Sequence, residues 1–398
     1  MIAIKNAVLF DGVREVGETS LLLDAAIVSV DRAVELPEDL ECIDVDGAYV
    51  TPGLVDAHVY MGLWCTGAGS EGRDLSDSNG TVQPQLRALD SVDWDDANFG
   101  RALAGGVATV VTGPGESNIF GGQALAMRTE ECPVDGRVVR GVASLRVALG
   151  HEPKTTYSKS VQYPSTRMGV AAVVREQFMK AQEYAIGCRE ATDSGKRPKF
   201  DFTLQTLAEV MAQRTPVTFY AAKANDIVTA VRITKEFDLS GIIVGATEGH
   251  MVAEFLGESG MPVVFIPMMD GRMSVETRNA TFETAAALAE AGVDVAISTG
   301  APSLPSEYLP VMAALCMKAG LARESALRAI TGGPAAMFGL AQNGLGNAVT
   351  AGPGHIACGA PADVVVWEGD PFSLTGRPKL VIAAGNVVFD ASRDEAPW

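Results

Sequence analysis

From residue 51 to residue 345 the chain repeats one pattern: a short, continuously apolar run, a Gly or Pro, then a stretch with apolar residues at helical spacing. Runs apolar on both faces suit parallel strands that are covered on both sides, because each side of such a sheet is packed by crossover helices. Eight runs fit: 54–60, 107–112, 124–129, 142–149, 217–222, 241–247, 262–267 and 293–299. Between them, DDANFGRALAGG opens on acidic residues and closes on Gly105-Gly106, as the helix dipole favours. NDIVTAVRITKEFDL and TFETAAALAEAG carry apolar residues at helical spacing. Eight strands with helical crossovers predict an α/β fold, a TIM-type (β/α)8 barrel.

The two ends resemble each other and differ from the middle. IAIKNAVLF, TSLLLDAAIVSV and CIDVDGAYV near the start, and ADVVVWEG and KLVIAAGNVVF near the end, are short apolar runs bounded by Gly, Asp and Pro. They read as antiparallel strands. The expected organisation is therefore a discontinuous β-sandwich from residues 1–50 and 346–398, its C-terminal strands beginning at about 354, flanking a barrel of residues 51–345. The segment 65–91, rich in Gly, Ser and Asp, follows the first barrel strand and should lie over the barrel mouth, where long loops are commonly functional.

Composition narrows the function. The 398 residues are 47% hydrophobic and 20% charged, enough to bury a large core. A net charge of −18 disfavours nucleic acid and anionic membranes, which demand clustered Lys and Arg. The longest basic run, Lys196-Arg197-Pro198-Lys199, reads as a solvated loop. No apolar stretch reaches the roughly 18 residues of a membrane span, and the N-terminus lacks a charged segment followed by an apolar one, so a cytoplasmic protein is expected. The six Cys (42, 65, 132, 188, 316, 358) form no CxxC pair and read as free thiols, mostly buried.

At TPGLVDAHVYMG (51–62) the chain resembles the amidohydrolase superfamily, whose members carry Pro-Gly, two hydrophobic residues and then Asp-x-His-x-His on the first barrel strand. GAPADVVVWEGDPF (359–372) is similar to the family's return to its β domain, and ESALRAITGGPAAMFGL (324–340) to the helix leaving the barrel. VVTGPGESNIFGGQ (110–123) and PSTRMGVAAVVRE (164–176) resemble an imidazolonepropionase-like bacterial branch. Active members hold one or two divalent ions with imidazoles and carboxylates at strand ends. The ions acidify bound water, and an Asp on the last strand moves the proton.

Position by position, the resemblance implies a depleted site. His58 remains from the first-strand pair, and Tyr60 stands where its partner belongs. After Ala148-Leu149-Gly150, a bridging carboxylate is replaced by His151, with Glu152 one residue late. Tyr220 replaces the fifth-strand His, Gly245 the sixth-strand His, and Gly300 the catalytic Asp after Thr299. These six positions, 58, 60, 151, 220, 245 and 300, should converge at one mouth as a pocket, with Glu248 and His250 as further candidates. The expectation is no metal, no cofactor and no bridging carboxylate. Tyr60 and Tyr220 should fill the space and hydrogen-bond each other, a neighbour or water.

Other polar residues carry two readings. His58 reads as a barrel-end imidazole bonded to Tyr or backbone, ahead of a ligand. His151 with Glu152 reads as an acid–base pair or as a surface turn. His250 should start the helix MVAEFLGE. GPGESNIFGGQ offers an anion nest or a tight loop with glycines at positive φ, the loop being preferred. Arg73, Asp74, Arg167, Asp270 and Arg272 lie near strand ends. The function expected first is a non-hydrolytic homologue that binds a small molecule or partners an active homologous subunit, with oligomerisation open. The second is a hydrolase of a C–N bond in a small cyclic or linear amide. Neither nucleic acid nor membrane is expected as a partner.

Overall fold

A computed structural model of the chain describes residues 1–31, 40–77, 80–131, 134–158, 163–269, 274–341 and 352–394. Eight strands follow one another in sequence order around a nearly closed barrel: β1 (Leu54–Val59), β2 (Val107–Thr112), β3 (Phe120–Arg128), β4 (Val138–Ala148), β5 (Val217–Ala221), β6 (Gly241–Gly245), β7 (Val263–Phe265) and β8 (Val295–Ile297). β1 to β2 and β4 through β8 pair in parallel. β3 runs the other way, antiparallel to both β2 and β4, and starts at 120 rather than 124. The reason is the link: residues 113–119 are far too few for a crossover, so the chain turns back as a hairpin at the barrel mouth.

The barrel interior is filled by small and branched side chains, among them Val55, Ala57, Val111, Ala124, Val244 and Ala296. Helices cover the outside. The expected helices are present as Asn98–Ala104, Ala224–Glu236 and Glu283–Glu290. ESALRAITGGPAAMFGL is not one helix but two, Arg323–Ala329 and Gly332–Met337. The break falls where the backbone runs against another segment: a Cβ on Gly332 would sit 2.4 Å from the Gly12 carbonyl oxygen.

Both chain ends contribute to a single second sheet. Tyr49–Pro52 pairs antiparallel with Val364–Glu368, which continues through Arg377–Ala383 to Asn386–Asp390. On its other side Tyr49–Pro52 pairs with Ile2–Phe10, and here the pairing is parallel, as is that of Ile2–Phe10 with Glu41–Asp44. The sheet is therefore mixed rather than antiparallel. Two intervening strands, Glu15–Leu23 and Ile27–Asp31, give the chain the length to return in the same direction. Ile4, Leu9, Leu21, Val50, Val364 and Ile382 form its core.

Of the cysteines, Cys316 alone among the described residues is buried, while Cys42 and Cys358 are exposed and Cys65 and Cys188 half-buried. The expected burial fails because Cys42 lies on the exposed strand Glu41–Asp44. Cys132 falls outside the described residues. Among the described residues no helix is long and apolar enough to cross a membrane.

Candidate site at the barrel mouth

Pro52-Gly53 brings β1 into the barrel at a crowded point. A Cβ on Gly53 would lie 2.5 Å from that of Ala108 and 3.1 Å from that of Asp363, so only glycine fits between β2 and the terminal sheet. Asp56, fully buried, then fastens β1 to the β8 end. It accepts from Ser298 Oγ, from Thr299 Oγ1 at 2.5 Å, from Thr299 N at 3.2 Å and from Ser306 Oγ at 2.8 Å. Burial raises its carboxyl pKa, and these bonds work against the rise. No ladder joins β8 to β1. The gap is spanned instead by Tyr60 N to Ala301 O at 2.7 Å and His58 N to Ser298 Oγ at 2.9 Å.

His58 is buried, and its Nε2 lies 3.1 Å from Glu116 Oε1 and 3.3 Å from Tyr60 Oη. Tyr60 Oη donates to the same Glu116 oxygen at 2.5 Å. Because that phenol proton is spent on Glu116, Nε2 must carry the proton it shares with the carboxylate. Glu116 sits in the 113–119 hairpin. Burial pulls its carboxyl pKa up, but the bonds from His58 and Tyr60 and the Arg146 charge outweigh burial and leave it lowered. Burial, with the Arg146 charge, holds His58 down to about 4, so its ring is neutral near pH 7.

Arg146, on β4, points into the barrel under this cluster. Its Nη1 donates to Gly113 O and Pro114 O at 2.9 Å, and its Nη2 to Val59 O and Val111 O at 3.0 Å. Its guanidinium lies 5.4 Å from the Tyr60 ring centre. The hairpin thus turns carbonyls toward a buried cation and is no anion nest. Of the glycines in 113–123, Gly122 adopts positive φ, as the tight-loop reading expects, while Gly113 and Gly115 do not. Gly113 is required for proximity, since a Cβ there would meet Arg146 Nε at 2.8 Å.

The other expected positions divide. The Tyr220 ring lies 6.5 Å from that of His58, and a Cβ on Gly245 would sit 3.3 Å from the Tyr220 ring. Gly300 precedes Ala301, whose carbonyl receives Tyr60 N. Tyr60 finds its partner in Glu116. Burial raises the pKa of both phenols. His151 is exposed at the start of helix His151–Ser158 and bonds Thr155, not Glu152, because the chain has already turned outward at Gly150. Glu248 is spent on Lys223 Nζ at 2.7 Å, Ala224 N at 2.9 Å and Asn279 at 2.8 Å. His250 bonds Thr284 at 2.9 Å from the short 3-10 turn Gly249–Val252, which precedes the helix expected to begin there. Arg73 lies over Trp64, Asp74 bonds Ser91, and Arg167 pairs with Asp226 and Glu276. Asp270 and Arg272 fall outside the described residues. The described residues of 65–91 pack on the hairpin through Gly115 N to Leu75 O at 2.8 Å and Ile119 N to Thr81 O at 3.0 Å.

Two residues of the cluster, Glu116 and Arg146, are missing from the sequence-based set, and Glu116 places a carboxylate beside His58 that the sequence reading did not name. Arg146 left a signal: an arginine within a run as apolar as VASLRVAL is buried with partners or the run is no strand. Glu116 left none, since only the reversal of β3 brings its loop over the barrel. Among the described residues, no group of three or more His, Cys, Asp or Glu is placed to hold a metal ion.

An eight-stranded barrel with its polar cluster at the C-terminal end of β1 carries that cluster on the face where barrels of this kind hold their functional sites. The chain belongs to the amidohydrolase superfamily, in its imidazolonepropionase-like branch, and the sequence profile of the amidohydrolase family matches residues 188–389. An amidohydrolase from Thermotoga maritima is 33% identical, with a TM-score of 0.91, over 98% of this chain and all of that one. An imidazolonepropionase from Polaromonas is 24% identical over 87% of this chain and 82% of its own length. An amidohydrolase of Hapsidospora irregularis is 25% identical over 90% of this chain, which spans 38% of that longer relative.

Proposed function

We propose that the chain is a non-hydrolytic member of its family that holds a small molecule at the barrel mouth, or partners an active homologous subunit, with no metal and no cofactor. One observation carries this reading: His58 Nε2 is committed to Glu116, inside a network closed by Tyr60 and backed by the Arg146 guanidinium. A zinc-like ion needs three or four imidazole, thiolate or carboxylate ligands. The donors here are one imidazole, one carboxylate and two phenols, with a buried cation alongside that disfavours a second one. The residues present do not fit a metal. Tyr220, whose phenol has no hydrogen-bond partner among the described residues, is left to meet the ligand beside Tyr60 and the Gly245 and Gly300 backbones, with Glu248 and His250 holding the surrounding loops. In this reading the barrel of residues 51–345 is the working unit, residues 1–50 and 346–398 form a separate β-sandwich, and the protein is cytoplasmic, with no nucleic-acid or membrane partner.

Protein purified without chelator is expected to contain no stoichiometric metal. It should hydrolyse neither linear amides nor lactams, before or after zinc or manganese is added. Elemental analysis finding about one ion per chain that His58→Ala removes would overturn the reading. A second reading, metal-free hydrolysis of a C–N bond in a small amide, draws on the Glu116–His58 pair, a half-buried carboxylate set against a buried imidazole. It predicts an activity that survives chelation and is lost in Glu116→Gln.

A further inference from the structure

Tyr220 is half-buried, while His58 and Tyr60 beside it are buried, so it is the ring of the cluster that a ligand meets first. Acid lies on two sides of it. On one side the His58 ring, its centre 6.5 Å away, leads to Glu116. On the other, the Tyr220 carbonyl accepts from Leu149 N at 3.0 Å, and the chain turns outward at Gly150. A Cβ on Gly150 would lie 2.7 Å from Asp226 Oδ2 and 3.7 Å from Glu276 Oε2. Glu152 follows in the first turn of helix His151–Ser158. After burial, the charges that raise the Tyr220 phenol are those of Glu116, Glu152 and Glu276, so all three act on it and it keeps its proton near pH 7.

The cations nearby are already in use. Arg146 spends both terminal nitrogens on four carbonyls. Its charge, which disfavours a metal ion beside His58, bears on His58, Tyr60 and Glu116 and is not among those that shift Tyr220. Arg167 is shared by Asp226 and Glu276 and so offsets only one of the two. Lys223 is taken by Glu248. Lys154 lies about 200° round its helix from Glu152. Four carboxylates, Glu116, Glu152, Asp226 and Glu276, thus stand against two guanidinium groups. Among the described residues the Glu152 carboxylate has neither a hydrogen-bond nor an ion-pair partner.

We propose that the small molecule held at the barrel mouth carries a protonated amine, seated between the Tyr220 phenol and the Glu152 carboxylate. This rests on the reading that the mouth holds a small molecule, and it names the class. An ammonium group supplies what the site lacks: N–H donors for Glu152 and for the Tyr220 oxygen, and a charge that offsets the surplus. A tyrosine ring beside it adds attraction for a cation. A ligand carboxylate or phosphate would meet like charge at the same place with no free cation to receive it, so the site selects by repulsion as well as by attraction.

Benzylamine, benzyl alcohol and benzoate share a ring and differ in charge at pH 7, and ligand-observed NMR of each with the full chain tests the assignment. Benzylamine is expected to bind at least about tenfold more tightly than the other two, and less tightly as salt rises. Glu152→Gln and Tyr220→Phe should each weaken it at least about fivefold and narrow its lead over benzyl alcohol. Far-ultraviolet circular dichroism should not change, since Glu152 is exposed and phenylalanine keeps the ring. Benzyl alcohol or benzoate binding as tightly as benzylamine overturns the proposal. So does benzylamine binding that neither variant weakens, as diffuse attraction to an acidic surface would give, and so does its failure to bind at millimolar concentration. Benzoate binding that Tyr220→Phe abolishes would sink the amine and leave the small-molecule reading standing, whereas stoichiometric metal at His58 would remove that reading whichever probe binds.

Discussion

Asp56→Ala is expected to lower the unfolding free energy by about 4 kcal/mol, because four donors lose one shared buried acceptor. Two of them have somewhere to turn: Ser298 Oγ also lies 2.8 Å from His58 O, and Ser306 Oγ 3.4 Å from Met61 Sδ. Thr299 loses the acceptor of both its hydroxyl and its amide, and the side chain leaves a void behind. Asp56→Asn keeps the shape, and its amide can donate to the hydroxyls in place of the lost acceptor, so about half the loss is expected. The seam between β8 and β1 has no ladder to fall back on, so amide exchange at His58 and Tyr60 should accelerate in Asp56→Ala more than elsewhere. Urea denaturation showing a cost under about 1 kcal/mol, with protection at those amides unchanged, would refute the role given to Asp56.

Acid should weaken the fold through His58. In the folded chain its pKa is depressed to about 4, against an ordinary value of 6.5 in the unfolded chain. Between those values the unfolded chain binds a proton that the folded chain refuses. The stability tied to the neutral imidazole is therefore complete above about pH 6.5 and drains away as the pH falls toward 4. The pKa difference implies a loss of about 3 kcal/mol by pH 4. The groups facing the ring act differently. Glu116, with its lowered pKa, loses its contribution only at still lower pH, while Arg146 stays charged. Asp56, with its raised pKa, has the opposite sign, and it is common to any pair of proteins compared at position 58. Stability measured from pH 7 to pH 4 in the wild type and in His58→Gln should separate the imidazole from the rest. Glutamine still donates to Glu116 and does not titrate, so the variant's curve should be shallower by that amount. Parallel curves would mean that His58 accepts the proton freely and is not held neutral.

Much of the barrel was legible because its strands are apolar on both faces. Leu54–Val59 and Val107–Thr112 are buried at every position, and the sequence shows that as predominantly apolar runs, broken in the first only by Asp56 and His58 and in the second by threonines. Strand direction left no such trace. Residues 120–128 have the composition of a parallel strand, and only the shortness of 113–119 argued for reversal. That one misreading explains the main failure at the site, since a hairpin in place of a crossover is what lays Glu116 beside His58. The first-strand residues were found because Pro52-Gly53 through His58 form a local motif whose geometry is set within the strand. His151 was misplaced for the converse reason: its position depends on where Gly150, at positive φ, sends the chain, and a Cβ there would sit 2.7 Å from Asp226. The terminal sheet was visible in the likeness of the two ends, but its parallel pairings depend on tertiary register that alternation alone does not encode.

The pairing of Tyr49–Pro52 with Val364–Glu368 also sets the order of events during synthesis. The partner of this early strand leaves the ribosome roughly 300 residues later, a delay on the order of 15–60 s at ordinary translation rates. Through that interval one edge of Tyr49–Pro52 is open to any passing strand, and the nascent chain depends on keeping it covered. Conditions that slow aggregation of the nascent chain, such as lower temperature, are therefore expected to help by protecting early strand edges of this kind.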